Sequence, residues 1–190
     1  LAKLGKAAAQ KDSAFSLEDR VGLVSDAFTL AQAGYSKTSG GLALMHAIRG
    51  DNSSLVNTAA ALNLGKLASV WWEQPQPVRD AINRFRADVF GPMARELTFE
   101  FGANDSSELR ELRETVITAA ASAGDTWTID EIRRRFAPLQ EHGDYSLIHP
   151  DLLRTVLSQA VKHGGEAEYE TVMGVYRAPP TPAHKTSAMV

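Results

Sequence analysis

The chain has 190 residues, a formal net charge of −3, 44% apolar residues and 23% charged residues. Those proportions suit a globular protein with a substantial core and offer no broad basic surface for nucleic acid or membrane lipid. The absence of cysteine excludes disulfides, thiol nucleophiles and thiolate metal sites.

No segment reaches the roughly 18 consecutive apolar residues that a bilayer-spanning helix needs. The opening LAKLGKAAAQ has neither an initiator Met nor the apolar core of a secretory signal. The chain is therefore expected to be processed or to be a piece of something longer, in a cytoplasmic, reducing setting.

Helix signals follow one another. Leu1–Gln10 is rich in Ala, Leu and Lys. After Ser16, the pattern Ser-x-x-Asp predicts a capped start, and Gly34 a stop. A third helix is predicted from Ser39 to Gly50. Asp51-Asn52-Ser53-Ser54 offers caps for a fourth, LVNTAAALNLGKLASVWW, which the run Gln74-Pro75-Gln76-Pro77 ends. A fifth runs from about Val78 to Glu100, with a kink or break expected at Gly91-Pro92 because Pro92 removes an N–H. Asn104-Asp105-Ser106 precedes a sixth that Gly124 closes, and Thr128 is predicted to cap a seventh. Pro150 suits the first position of an eighth, with Asp151 complementing its dipole. Glu166–Arg177 reads as a ninth, stopped by Pro179-Pro180, and a tenth begins after Thr181.

No strand pattern appears. Short turns imply antiparallel neighbours, and helix pairs recurring every ~35–45 residues suggest stacked hairpins. The expected fold class is all-α: about nine to ten helices forming an α-superhelix of the HEAT or armadillo kind. Residues 1–178 form the helical-repeat domain. Residues 179–190 are a Pro-rich tail or the start of a further helix.

Chemistry is harder to find. There is no His-Glu-x-x-His, nucleophile elbow, P-loop or dinucleotide fingerprint. His46, His142, His149, His163 and His184 are never spaced as two ligands on one helical turn. No catalytic, cofactor or metal residue is assigned. His149 reads as a helix-start residue or, less simply, as an acid–base group on a loop. Trp71 and Trp72 point about 100° apart, so one is expected in the core and one partly exposed. Arg133-Arg134-Arg135 fans over roughly 200° and reads as a solvated face. Glu108, Glu111 and Glu114 with Arg110 and Arg113 read as exposed intrahelical pairs, worth a few tenths of a kcal/mol each.

One charge breaks the pattern. At 100° per residue, Leu17, Val21, Val24, Ala27, Phe28 and Ala31 define an apolar arc, and Arg20 falls in its middle. An unpaired buried charge is costly, and stripping the partner from a buried pair costs about 3–5 kcal/mol. Arg20 must meet a carboxylate, carbonyls or cavity water. Both readings stay open: a structural ion pair, or a cavity-facing cation for an anionic ligand.

Several stretches also share a pattern with a known family. LEDRVGLVSDAFTLAQAGYSKTS carries an Arg, an apolar pair, an Asp and then AF-x-LA-x-AG. FGPMARELTFEFGANDSSELRELRETVITAAASAGD, TIDEIRRRF and IHPDLLRTVLSQAVKHGGEAEYETVMGVYR follow in order, and HKTSAM begins a further helix. Together they resemble the C-terminal helical domain of zinc aminopeptidases of the aminopeptidase N and puromycin-sensitive type, over nearly the whole chain. That resemblance implies a superhelix capping a zinc centre in an earlier domain and enclosing a chamber for peptides with a free N-terminus. The family's zinc motif and Gly-x-Met-x-Asn loop belong to that earlier domain and do not occur here. Arg20 and Asp26 match the family pattern and are read as structural, candidates for a buried pair.

The expected function is thus the C-terminal portion of a peptide-hydrolysing zinc aminopeptidase. The piece would be inactive alone, without cofactor of its own, and partnered by the catalytic domain of the same polypeptide. Peptide substrates would meet it only through the chamber. A truncated end would invite self-association. The alternative is a stand-alone helical-repeat interaction module without enzymatic activity.

Overall fold

A computed structural model describes residues 1–10 and 12–189. Ten α-helices and no strand occur among them. They are α1 (Ala2–Ala8), α2 (Leu17–Gln32), α3 (Thr38–Ile48), α4 (Ser54–Val70), α5 (Gln76–Leu97), α6 (Ser107–Ser122), α7 (Thr126–His142), α8 (Leu153–His163), α9 (Glu166–Arg177) and α10 (Pro182–Ser187). A 3₁₀ turn, Pro150–Leu152, leads into α8.

Local chemistry sets most boundaries. The Ser16 hydroxyl accepts from Asp19 N–H at 3.1 Å while the Asp19 carboxylate accepts from Ser16 N–H at 2.9 Å, a reciprocal capping box. Ser106 accepts from Leu109 N–H in the same way at α6. Gly34 (φ 80°) and Gly124 (φ 86°) take the left-handed conformation just beyond α2 and α6, where a Cβ would be strained.

The boundaries of two helices differ most from expectation. The cap of α7 is Asp125, not Thr128. Its carboxylate accepts from both the N–H (3.0 Å) and the hydroxyl (2.8 Å) of Thr128, so a full carboxylate takes the cap and Thr128 becomes its donor. α5 begins two residues early, where Pro77 fits the first turn. It also runs unbroken through Pro92 and stops at Leu97, where Thr98 adopts φ 54°.

The helices form two layers. α2 packs on α4, α4 on α6 and α6 on α8; α1 packs on α3, α5 on α7 and α7 on α9. Chain neighbours α2–α3, α5–α6, α7–α8 and α8–α9 pack across the layers. This is the stacked-hairpin superhelix. Its core runs the length of the stack and includes Val24, Leu44, Leu64, Phe90, Ile117, Ile132 and Leu157, all essentially without exposure. The C-terminal half of α6 is deeply enclosed, with Val116, Ile117, Ala120 and Ala121 all at 0%. At the far end α10 packs on α8 and α9. No helix among the described residues is long and apolar enough to cross a membrane.

Candidate functional site: arginine clamps and an open helical face

Arg20 leaves α2 toward the turn between α3 and α4. Its Nε lies 2.8 Å from Asp51 Oδ2, and Nη1 donates to the Phe15 carbonyl at 3.4 Å. The Nε–H is not aligned on the carboxylate, so the pair is held by charge more than by a directed hydrogen bond. Asp51 is itself fixed, because its Oδ1 accepts from Ser53 N–H at 2.9 Å. Asn57 then ties the turn by donating to the carbonyls of Asp51 (2.6 Å) and Ser53 (2.9 Å). Asp26 takes no part: it is exposed on α2 and forms no ion pair among the described residues. Asp26 was a candidate because, like Arg20, it matches the family pattern. The structure instead supplies an acid from a different turn.

The segment from Thr98 to Asp105, between α5 and α6, is held by arginines from neighbouring helices. Arg113 donates through Nη1 to Asp105 Oδ2 (2.7 Å) and through Nε to the Leu97 carbonyl (3.1 Å), and its guanidinium lies 4.4 Å from the Phe101 ring centroid. Gly102 N–H and then Arg113 hold the Asp105 carboxyl below the usual range. Arg135 donates to Glu100 Oε1 at 2.6 Å and covers Phe99 at 4.9 Å. Phe101 also stacks on His149, with centroids 3.6 Å apart and planes 4° from parallel.

These contacts correct two expectations. Arg113 and Arg135 are buried, not solvated. The glutamates of α6 form no intrahelical pair with Arg110 or Arg113, because Arg110 reaches Asp151 at 2.7 Å and Arg113 reaches Asp105. Arg133 and Arg134 do keep exposed intrahelical partners, Asp130 and Glu131, and Arg135 adds a longer 3.5 Å contact to Glu131. Their spacing from Arg135 carried this information, since consecutive helical positions cannot all face water when one side of the helix is core.

His149 is the helix-start residue of its simpler reading. Its Nδ1 accepts from Asp151 N–H at 3.3 Å, at the head of the 3₁₀ turn. Neither tryptophan reaches the core. Trp71 is half-buried and Trp72 is 65% exposed, because α4 ends at Val70 and its last turn overhangs the next helix.

Arg95 on α5 meets the capping residue of α7, Asp125, at 2.8 Å. Gly91 makes room for that meeting: a Cβ there would lie 2.6 Å from Asp125 Oδ1 and 2.8 Å from Arg95 Nη1. Gly91→Ala is expected to destabilise the chain by about 1–2 kcal/mol, the overpacking cost exceeding the helix-propensity gain. A urea titration followed by circular dichroism measures it, and a neutral or stabilising result would refute the steric reading.

Two of the open surfaces stand out. One is an apolar groove of about 440 Å3 between α2 and α4, lined by Phe28, Ala31, Leu67, Val70 and Trp71 among others, with Leu30, Tyr35 and Trp72 also exposed on these elements or their adjoining turns. The other is a groove on the α4–α6 face that contains Arg86 and Glu114. Partial burial, followed by the carboxylates of Asp151 and Glu111, raises the Glu114 carboxyl. No three His, Asp or Glu side chains among the described residues converge as metal ligands.

Comparison with known proteins agrees with this geometry. The chain is 29% identical over 187 residues to Aminopeptidase 2 of Candida albicans, covering 98% of this chain and 20% of that protein. It is 30% identical to the protein named Aminopeptidase 2, mitochondrial, of Saccharomyces cerevisiae, covering 99% of this chain and 19% of the relative. It is 27% identical to Aminopeptidase M1-A of Oryza sativa subsp. japonica, covering 85% and 19%. The chain thus spans about a fifth of the length of these relatives. A profile of the ERAP1-like C-terminal domain matches residues 1–190. The chain belongs to the ERAP1-like C-terminal domain family.

Proposed function

We propose that the chain is the C-terminal helical portion of a zinc-dependent aminopeptidase that removes N-terminal residues from peptides. In this reading it encloses the substrate chamber and carries no catalytic centre. The observation that carries the proposal is the full-length family match, combined with coverage of only a fifth of several aminopeptidases. The residues of this chain do not fit a zinc site, since no ligand triad converges among those described. The metal and the water it activates belong to the catalytic domain of the same polypeptide.

The chain's own contribution is shape. A two-layer superhelix presents a continuous surface, and arginine clamps hold its turns. The apolar groove between α2 and α4 is the surface we assign to contact with the rest of the polypeptide. Arg20 is a structural charge in this reading. Residues 1–178 are the helical-repeat domain, and α10 lies in the segment 179–190 beyond it. The proposed compartment is the cytoplasm; the name of the yeast relative makes the mitochondrion its competitor, and cell fractionation separates them.

The purified chain, with zinc added, is expected to give no turnover of aminoacyl-p-nitroanilides. Adding the catalytic portion of the same polypeptide in trans is expected to restrict cleavage of long peptides relative to that portion alone. Zinc-dependent turnover by the isolated chain would overturn the proposal.

A further inference from the structure

The C-terminal halves of α2 and α4 leave large apolar side chains in water. Phe28, Ala31, Leu67, Val70 and Trp71 line a groove of about 440 Å3. Val70 is 74% exposed and Tyr35, just past α2, is 84% exposed, with Leu30 and Trp72 also in solvent. Grouping of this kind marks an interaction surface, and tryptophan and tyrosine are the side chains that anchor such contacts best.

The backbone around the groove decides what form of chain fits it. The walls are helices, whose N–H and C=O groups are already bonded along their own axes. Their carbonyl ends are closed as well. The N–H groups of Ala33 and Tyr35 return to the carbonyls of Thr29 and Leu30, each at 2.9 Å, and Trp71 N–H returns to that of Leu67 at 3.2 Å. An extended segment laid here finds no edge to pair with, and its own backbone groups lose water without compensation. A helix satisfies its backbone internally and offers side chains at i, i+3, i+4 and i+7 to such a groove.

Charge narrows the choice further. Lys66 is the one ionisable side chain in the lining. Lys37 precedes the lining residue Thr38 at the start of α3, a helix with no side-chain cap and no acid in its first turn, so its leading N–H groups add positive partial charge. Neither lysine forms an ion pair among the described residues. Asp26 lies roughly 120–160° round α2 from Phe28, Ala31 and Gln32, and Glu73 lines neither this groove nor the hollow between Trp71 and Trp72. The carbonyl ends of α2 and α4 oppose the cations with about half a charge each, less than the two lysines and the α3 N-terminus together. Carboxylates beside the apolar stripe of an incoming helix complement this rim.

The chain spans about a fifth of the length of its relatives, which leaves ample polypeptide to supply one helix. We propose that the α2–α4 groove seats an amphipathic helix from the polypeptide outside these 190 residues, with its apolar stripe in the groove and its carboxylates toward Lys66 and the start of α3. This rests on the assignment of the groove to contact with the rest of the polypeptide and specifies the element that makes the contact.

Two measurements separate the inference from that assignment. Amide hydrogen exchange compares the full-length polypeptide with the 190-residue chain. Slower exchange at the C-terminal halves of α2 and α4 is expected in the full-length protein, and equal exchange would overturn assignment and inference together. The 190-residue chain is then titrated at low ionic strength with two acetylated, amidated helical peptides of about 16 residues, which share a leucine stripe and carry either flanking glutamates or flanking lysines. Tryptophan emission is expected to shift to the blue saturably with the glutamate peptide and to need about tenfold more of the lysine peptide. Lys66→Glu is expected to remove that preference. Val70→Asp, a change at an exposed position that leaves melting unaltered, is expected to abolish the shift. No saturable shift, equal affinity for both peptides, a preference that survives K66E, or a V70D chain that still binds would overturn the inference and leave the assignment standing. A concentration-dependent dimer that V70D dissolves would overturn it too, because a second copy would then cover the groove.

Discussion

Arg113→Ala is expected to lower the stability of the chain by about 3 kcal/mol, the lower end for breaking a buried pair. For a domain of this size that corresponds to a fall of roughly 6–12 °C in melting temperature. Three losses combine. Asp105 loses its 2.7 Å partner, the Leu97 carbonyl loses a donor at 3.1 Å, and Phe101 loses the guanidinium over its ring. Arg113→Lys should rescue little, because one ammonium cannot serve the carboxylate and carbonyl as a fork while lying flat on an aromatic face. The sign of the pH dependence follows from Asp105. Its carboxyl is held low in the folded chain, so its stabilisation is present above the unfolded carboxyl value and is lost as pH falls through the folded one. The gap between R113A and the unaltered chain should therefore narrow in acid. Urea melts at neutral and acidic pH measure this, and a gap independent of pH would contradict the ion-pair account.

Phe90→Ala is expected to cost about 3–5 kcal/mol, the transfer and cavity terms together. Phe90 is 1% exposed on α5, the helix that packs on α4, α6 and α7, so no single neighbour can shift to fill the space. Phe90→Leu should cost far less, about 1 kcal/mol, because most of the volume is kept. Chemical denaturation of the two variants side by side separates cavity from chemistry. Equal costs would place the energy in the aromatic ring and not in the void.

How much of this was legible beforehand depended on distance along the chain. Ser16, Ser106, Gly34 and Gly124 act on residues within one turn, so caps and stops could be read directly from composition and spacing. Arg20 could be recognised as a charge out of place because the helical period alone exposes the conflict. Its partner could not, since Asp51 lies 31 positions away in sequence (51 − 20) and only the packing of α2 against the α3–α4 turn brings them together. Asp26 was the nearest acid of the shared pattern and proved to face solvent. Arg113 and Arg135 were hidden for a related reason. Each sits among other charges, and a local reading pairs them with neighbours on their own helix. Their closest partners lie on the segment between α5 and α6, and no helical period describes that segment. Arg86 was passed over altogether, because Asn83, Arg84 and Asp88 surround it with polar residues and disguise the position as surface.

The family resemblance carried the functional reading further than any residue in the chain could. Zinc ligation needs converging imidazoles and carboxylates, and five scattered histidines cannot indicate where a metal in another domain would lie. What the chain does reveal is its own packing, through the uninterrupted core along the stack and the small buried residues of α6.

The turn between α5 and α6 has a mechanical consequence. Superhelical stacks usually flex at the joints between successive hairpins, since each hairpin touches only its neighbours. Here that joint is riveted from both sides by planar cations lying on aromatic rings, one from α6 and one from α7. The clamps thereby add to the packing of α4 on α6 and of α5 on α7 in joining the first five helices to the last five.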